Sequence, residues 1–364
     1  MDITLDKLHD LARGAAFLGT GGGGDPYVGR LMLQQQLMDG GRVQLIDPAD
    51  LDDDALVVPV ANMGAPTVLV ERFPNGRSAV AAVRKMEELL GRKATALMPI
   101  EAGGINCTLP LVVGSLMNLP IVDADGMGRA FPELQMTTFS IYGVRASPIV
   151  INDEHGNQVV VEAIDDKTSE WLARVICMRM GGKAEITLYP MSGHEAKTKS
   201  VPYTVSLALQ IGGILGAARI SKSDPFAALN EFFRSANPSR CFKVLFDGKV
   251  SDLRRQTTQG FAVGHLILSN LDGTGQPMEI DFQNEYLSAR IGDKFLATTP
   301  DLICILDRET AEPITTEGLR YGQRVKVVGV GVPQVMRTPE ALAVWGPRIF
   351  NIERDYIPIE HLDN

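Results

Sequence analysis

Cysteine is scarce in this chain. Cys107, Cys177, Cys241 and Cys304 stand far apart, and no two have CxxC spacing. That excludes a disulfide framework and a zinc ribbon, and it suits reduced thiols in a cytoplasm. The five histidines, His9, His155, His194, His265 and His361, form no HxH or HExxH pattern, so no local zinc site is legible. No cofactor is identifiable, although a divalent metal assembled from distant carboxylates stays open. No block of Lys or Arg occurs, and the formal net charge is -9. Nothing therefore attracts a nucleic-acid backbone or an anionic membrane surface. No stretch approaches the roughly 18 apolar residues of a membrane span, and the N-terminus is acidic where a secretory signal needs basic residues. A fixed-period repeat and a coiled-coil heptad are missing as well.

What remains is ample apolar material. The chain has 364 residues, 45% of them hydrophobic and 22% charged, enough for a large core and long enough for two domains. Residues 4–18 place apolar side chains at helical spacing behind Thr4, and a second helical pattern runs from Pro26 to Leu37. Short apolar runs at 43–46, 55–64, 94–101 and 119–125 then alternate with helical stretches at 77–90 and 109–118. Alternation of that kind predicts an α/β fold with a doubly wound, mostly parallel sheet. Near residue 165 the pattern changes. The last third reads as short strands between turn signals, a β-rich barrel or sandwich plus helices, continuous with the helical stretch 202–219. The expected division is 1–165, carrying most of the site, and 166–364.

In open parallel sheets ligands bind beyond the carboxyl ends of the strands. Three predicted strands end in glycine-rich polar loops, NMGAPT after 62, EAGGIN after 101 and DADGMGRAFPE after 123. The run Gly21-Gly22-Gly23-Gly24 lets backbone N–H groups approach a ligand without a Cβ in the way. A helix rather than a strand precedes it, and no GK[ST] follows, so neither a dinucleotide fingerprint nor a Walker loop fits. A nicotinamide oxidoreductase is disfavoured on the same ground. The plainer alternative is a tight helix-to-helix connection, with Asp25 capping a helix that starts at Pro26.

Glu101, Asn106 and Cys107 put a carboxylate, an amide and a thiol in one strand-end segment. Cys107 could act as a nucleophile if a helix N-terminus stabilised its thiolate, the alternative being a buried, inert cysteine. Asp123, Asp125, Arg129 and Glu133 crowd into the next loop, and strand alternation would send Asp123 and Asp125 to the same side. Two carboxylates held together separate their pKa values, as acid/base work needs. The alternative has Asp125 capping a turn at Gly126 and Arg129 neutralising a carboxylate. In the C-terminal half, Asn284 and Glu285 are polar residues within a strand-like run, to be weighed against a solvent-facing strand edge.

The segments GTGGGGDPY, NMGAPTVLVERFPNG, EAGGIN, DADGMGRAFPELQM, QNEYL and TPDLICILDRETAEPITTEGLRYGQRV, taken in order, resemble the S-methyl-thiohydantoin desulfurase family. The resemblance runs over nearly the whole chain. It implies two domains, an association with hydantoinase-like and oxoprolinase-like proteins, and hydrolysis of an S-methylated thiohydantoin to a hydantoin with release of methanethiol. On that chemistry Asp123 or Asp125 is expected to activate water, and Glu133 or Glu101 to protonate the leaving group or ring. Asn106, Arg129 and the backbone of Gly21–Gly24 are expected to position the ring, and Asp25, Cys107, Asn284 and Glu285 are expected among the residues that bind it. The competing expectation is a non-catalytic subunit that binds a cyclic amide beside a hydantoinase-type partner. A small-molecule ligand and a homo-oligomer are expected on either reading.

Overall fold

The computed structural model describes residues 1–64, 68, 76–237 and 240–362. Residues 65–67 and 69–75, most of the NMGAPTVLVERFPNG stretch, lie outside them. In chain order the helices are α1 (Leu8–Leu18), α2 (Pro26–Met38), α3 (Arg77–Leu90), α4 (Gly104–Met117), α5 (Thr138–Ile141), α6 (Asp166–Arg179), α7 (Gly193–Lys199), α8 (Thr204–Ser221), α9 (Pro225–Ser235) and α10 (Pro339–Trp345). Strands β1 (Leu45–Ile46), β2 (Leu56–Gly64), β3 (Ala96–Pro99), β4 (Ile121–Val122), β6 (Ile149–Asn152), β7 (Gln158–Val161), β8 (Lys183–Thr187) and β9 (Met191–Ser192) build the first sheet. Between them β5 (Ala124–Asp125) pairs with β10 (Val201–Pro202). The second sheet holds β11 (Phe242–Thr258), β12 (Phe261–Asn270), β13 (Met278–Gln283), β14 (Glu285–Ile291), β15 (Lys294–Thr298), β16 (Leu302–Asp307) and β17 (Arg324–Val330).

The two-domain α/β expectation holds, and the first sheet is mixed. Its order is β1-β4-β3-β2-β8-β6-β7, with β9 beside β2. The half β1-β4-β3-β2 is parallel, and everything beyond β2 is antiparallel. The parallel half explains the continuous apolar runs, because these strands are buried on both faces. It also aims the C-terminal ends of β2 and β3 at one edge, where residues 62–64 run on past β3, paired only with β8, and residues 100–103 leave the sheet. Strands β8 and β9 of this sheet lie beyond residue 165.

The second sheet is antiparallel throughout, ordered β15-β14-β13-β12-β11-β17-β16. It curls into a half-barrel, with β14 and β15 returning against β16. A separate apolar cluster that includes Leu266, Ile280, Phe282 and Val327 fills it. Helix α8 does not join this half as expected. It packs along α1, close enough that a Cβ on Gly212 would overlap the Asp10 carbonyl. By length and composition α8 is apolar enough to cross a membrane, and about 44% of it is buried in the protein. The expectation that no stretch approaches such a span is corrected to that extent.

Candidate functional site

The cavity at the joint of the two halves has about 60 Å³ of water-accessible space, room for roughly four waters at about 15 Å³ each. Four segments wall it. The glycine loop contributes Gly23 and Gly24, the end of β2 contributes Ala61–Gly64, the β3–α4 connection contributes Ile100, Glu101 and Asn106, and residues 131–134 contribute Glu133. The half-barrel closes it with Asn284 and Glu285.

The glycine loop is a helix-to-helix connection that another strand must approach closely. Gly21 O accepts from Thr316 N at 2.9 Å, and Thr20 O accepts from Tyr286 N at 2.8 Å. A Cβ on Gly22 would overlap Glu285 Oε1. Glycine there is what lets Glu285 reach the cavity. Asn284 takes positive φ (57°), and its Oδ1 accepts from Ala262 N at 2.8 Å. That turn delivers Glu285 at the start of β14.

Helix α4 begins at Gly104, five residues earlier than expected, so Asn106 sits in its first turn. Asn106 Oδ1 accepts from Asn62 N at 2.7 Å, while its Nδ2 donates to Asn62 O at 3.2 Å and to Glu101 Oε1 at 2.7 Å. This amide fixes both neighbours and leaves three of their side-chain atoms unpartnered, with a fourth on Glu285. Glu101 Oε2, Glu285 Oε2 and both polar atoms of Asn62 are buried with no hydrogen-bond partner among the described residues. Such atoms cost free energy when left unsatisfied.

Burial pushes the Glu101 carboxyl up to about 8, against the Asn106 hydrogen bond, with Asp125 adding like charge. Burial also raises Glu285 well above the usual carboxylate range; Glu101 adds to this and the nearby Arg129 charge opposes it. At the rim, Arg174 donates through Nε to Glu170 at 2.6 Å and through Nη2 to Pro132 O at 3.0 Å, and lies over the Phe261 ring. Glu133 is half-buried beside it and accepts from Gln135.

The other expected residues are placed elsewhere. The chain leaves the sheet at Asp123, between β4 and β5, so strand alternation does not hold there. Asp123 accepts from Ser206 N at 3.0 Å and from Ser206 Oγ, in the first turn of α8. Asp125 accepts from Ala102 N at 2.6 Å and Gly128 N at 2.9 Å, and burial raises it to about 7. They do not form a pair, and neither lines the cavity. Arg129 is fully buried and donates to Ala130 O, Asp301 O, Thr20 Oγ1 and Tyr286 O at 2.7–3.0 Å, tying the halves together behind the cavity. Asp25 caps α2 by accepting from Tyr27 N at 2.8 Å. Cys107 is buried inside α4, off the cavity, and burial first, then nearby carboxyls, push its thiol far up, the opposite of an activated thiolate. Among the described residues no three His, Cys, Asp or Glu side chains converge as a metal site would need.

Asn62, Met127, Phe131 and Arg174 line the cavity without having been singled out. Asn62 had a signal, since it opens one of the three strand-end loops. Arg174 had none beyond its helix.

Models of two domains match almost end to end, the S-Me-THD-like N-terminal domain over residues 6–163 and the S-Me-THD-like C-terminal domain over 164–359. A crystal structure of a protein from Chromobacterium violaceum superposes with a TM-score of 0.82 at 23% identity, covering 99% of this chain and 100% of its own. At that identity the likeness is one of fold. Among curated proteins, none matches the chain at a significant level.

Proposed function

Because this chain belongs to the S-Me-THD-like family over both of its domains, we propose that it is a hydrolase of S-methylated thiohydantoins. Water adds to the ring carbon that bears the thioether, and the carbon–sulfur bond breaks. The sulfur leaves with a proton as methanethiol, and a hydantoin remains. The observation that supports this is the pair of buried carboxyls, Glu101 and Glu285, facing one small cavity from different domains with an unpartnered oxygen each.

The step needs a proton on the departing sulfur and a base for the attacking water. Glu101 holds its proton up to about pH 8 and supplies it to the leaving group. Glu133, at the less buried side where water arrives, takes the proton of the attacking water. Glu285 faces the ring from the half-barrel, and Arg129 behind it limits how far its carboxyl can stay neutral. A dry pocket strengthens each of these interactions. Asp123 and Asp125, whose oxygens are occupied by backbone and serine donors, keep structural roles in this scheme.

Incubating the purified chain with a synthetic S-methylated thiohydantoin should release methanethiol and leave hydantoin, followed with a thiol reagent and by NMR. Glu101→Gln should lower turnover by roughly 10²–10⁴-fold with the melting temperature held. Absence of methanethiol above the uncatalysed rate between pH 5 and pH 9 would overturn the proposal.

A further inference from the structure

Asn62 is 7% exposed and lines the cavity, yet neither Nδ2 nor Oδ1 has a hydrogen-bond partner among the described residues. A primary amide buried in this way is expensive unless water or a ligand in the cavity completes it. Its backbone cannot drift to find another partner, because Asn106 holds both Asn62 N and Asn62 O. Glu185, directly across in β8, is turned toward Ser78 and Lys183 instead. Asn62 thus presents one donor and one acceptor side by side, on a rigid strand end, toward the cavity that Glu101 and Glu285 also line.

We propose that Asn62 is a specificity-determining residue that pairs, through Nδ2 and Oδ1, with an adjacent C=O and N–H of a cyclic amide. The two-point match is the one by which an asparagine side chain reads a nucleobase edge. Exchanging the N and O positions of the amide reverses the order of the two bonds and keeps the match. In an S-methylated 2-thiohydantoin the remaining edge of this kind is the C4 carbonyl with the neighbouring N3–H, in the tautomer that carries its proton on N3, and N3 is itself bonded to the thioether carbon. Pairing there leaves the thioether carbon free to face the carboxyls. The inference deepens the hydrolase reading and rests on it for the identity of the ring. Its general form is that ligands of this site carry an unsubstituted cis-amide edge.

Calorimetry with hydantoin and 1,3-dimethylhydantoin tests it. The dimethyl ring has the same core and no N–H. The wild-type chain should bind hydantoin at least tenfold more tightly than 1,3-dimethylhydantoin. Asn62→Leu should weaken hydantoin at least tenfold and remove the discrimination, and Asn62→Asp should weaken it because a carboxylate offers no donor to the ring carbonyl. Equal affinities for the two rings, no binding of hydantoin at millimolar concentration, or full discrimination in Asn62→Leu would each overturn the inference. The ligand comparison on the wild-type chain stands even if a variant fails to fold. Methanethiol release that ignores Asn62 removes this inference and leaves the reaction. Hydantoin binding that depends on Asn62 without methanethiol release removes the reaction and leaves the edge recognition.

Discussion

Two clusters of buried charge meet at the joint between the halves, and they are built on opposite principles. Around Arg129 every guanidinium nitrogen donates, to Ala130 O, Asp301 O, Thr20 Oγ1 and Tyr286 O. Asp301 in turn accepts from Val332 N, Ile359 N and Tyr356 OH. Around Glu101, a short distance away, buried oxygens of Glu101 and Glu285 and the whole Asn62 amide are left open. Equal burial and comparable charge therefore mean different things. A closed network holds the domains in register, and an open one beside a cavity has hydrogen-bonding capacity left over, which the proposed reaction uses.

The sharpest way to break this comparison is to delete the centre of the closed cluster. Arg129→Met should cost on the order of 3–5 kcal/mol of stability, because it leaves buried acceptors on both domains without a donor. Urea unfolding measures it. The open cluster should respond in the opposite sense, since Glu101→Gln loses turnover and holds its stability. An Arg129→Met protein that unfolds like the wild type while losing turnover would place Arg129 in the site instead.

Acidity separates the clusters next. Glu101 keeps its proton in the folded chain up to about 8, against an ordinary 4.5. Its contribution to stability is therefore fully present below about pH 4.5 and is lost as pH rises through about 8. The slope is at most about 1.4 kcal/mol per pH unit for one proton. Asp125, raised to about 7, and Asp301, raised to about 6, act in the same direction at lower pH. Unfolding free energies from pH 5 to pH 9 should fall with pH, and Glu101→Gln should flatten the alkaline part of the fall. An unchanged slope in that variant would mean that Glu101 ionises normally.

Much of the fold was legible because its signals are local. Alternating apolar runs and helical periods gave the two-domain α/β architecture, a glycine-rich strand end pointed to Glu101 and Asn106 at the cavity, and the glycine run after the first helix pointed to Gly23–Gly24. Glu285 was legible as a polar residue in a strand, whereas its meeting with Gly22 depends on a contact more than 250 residues long in sequence. What misled was alternation across residues 121–125. The chain breaks into β4 and β5 at Asp123, so each aspartate finds its own backbone donors. Asn62 opens a strand-end loop, but that signal singles out the loop and not the residue. Only its unpaired amide, seen once Asn106 is in place, marks it.

Asp125→Asn is the mildest test and the most direct on the misread pair. Its two oxygens each accept a backbone N–H, from Ala102 and Gly128, and asparagine has one oxygen to offer. One of those N–H groups would face an NH₂ group, at about 1–3 kcal/mol. Part of that loss is offset, because an aspartate raised to about 7 is close to half-protonated at neutral pH and asparagine removes the burial of its charged form. The expected stability loss therefore falls in the lower half of that range at neutral pH and grows as pH falls below 7, because the wild-type chain gains stability as Asp125 takes up its proton and the variant does not. Turnover should fall far less than in Glu101→Gln, since Asp125 reaches the cavity only by steadying Ala102 beside Glu101. Abolished turnover with an unchanged melt would return Asp125 to the acid–base pair and dissolve the distinction between the two clusters.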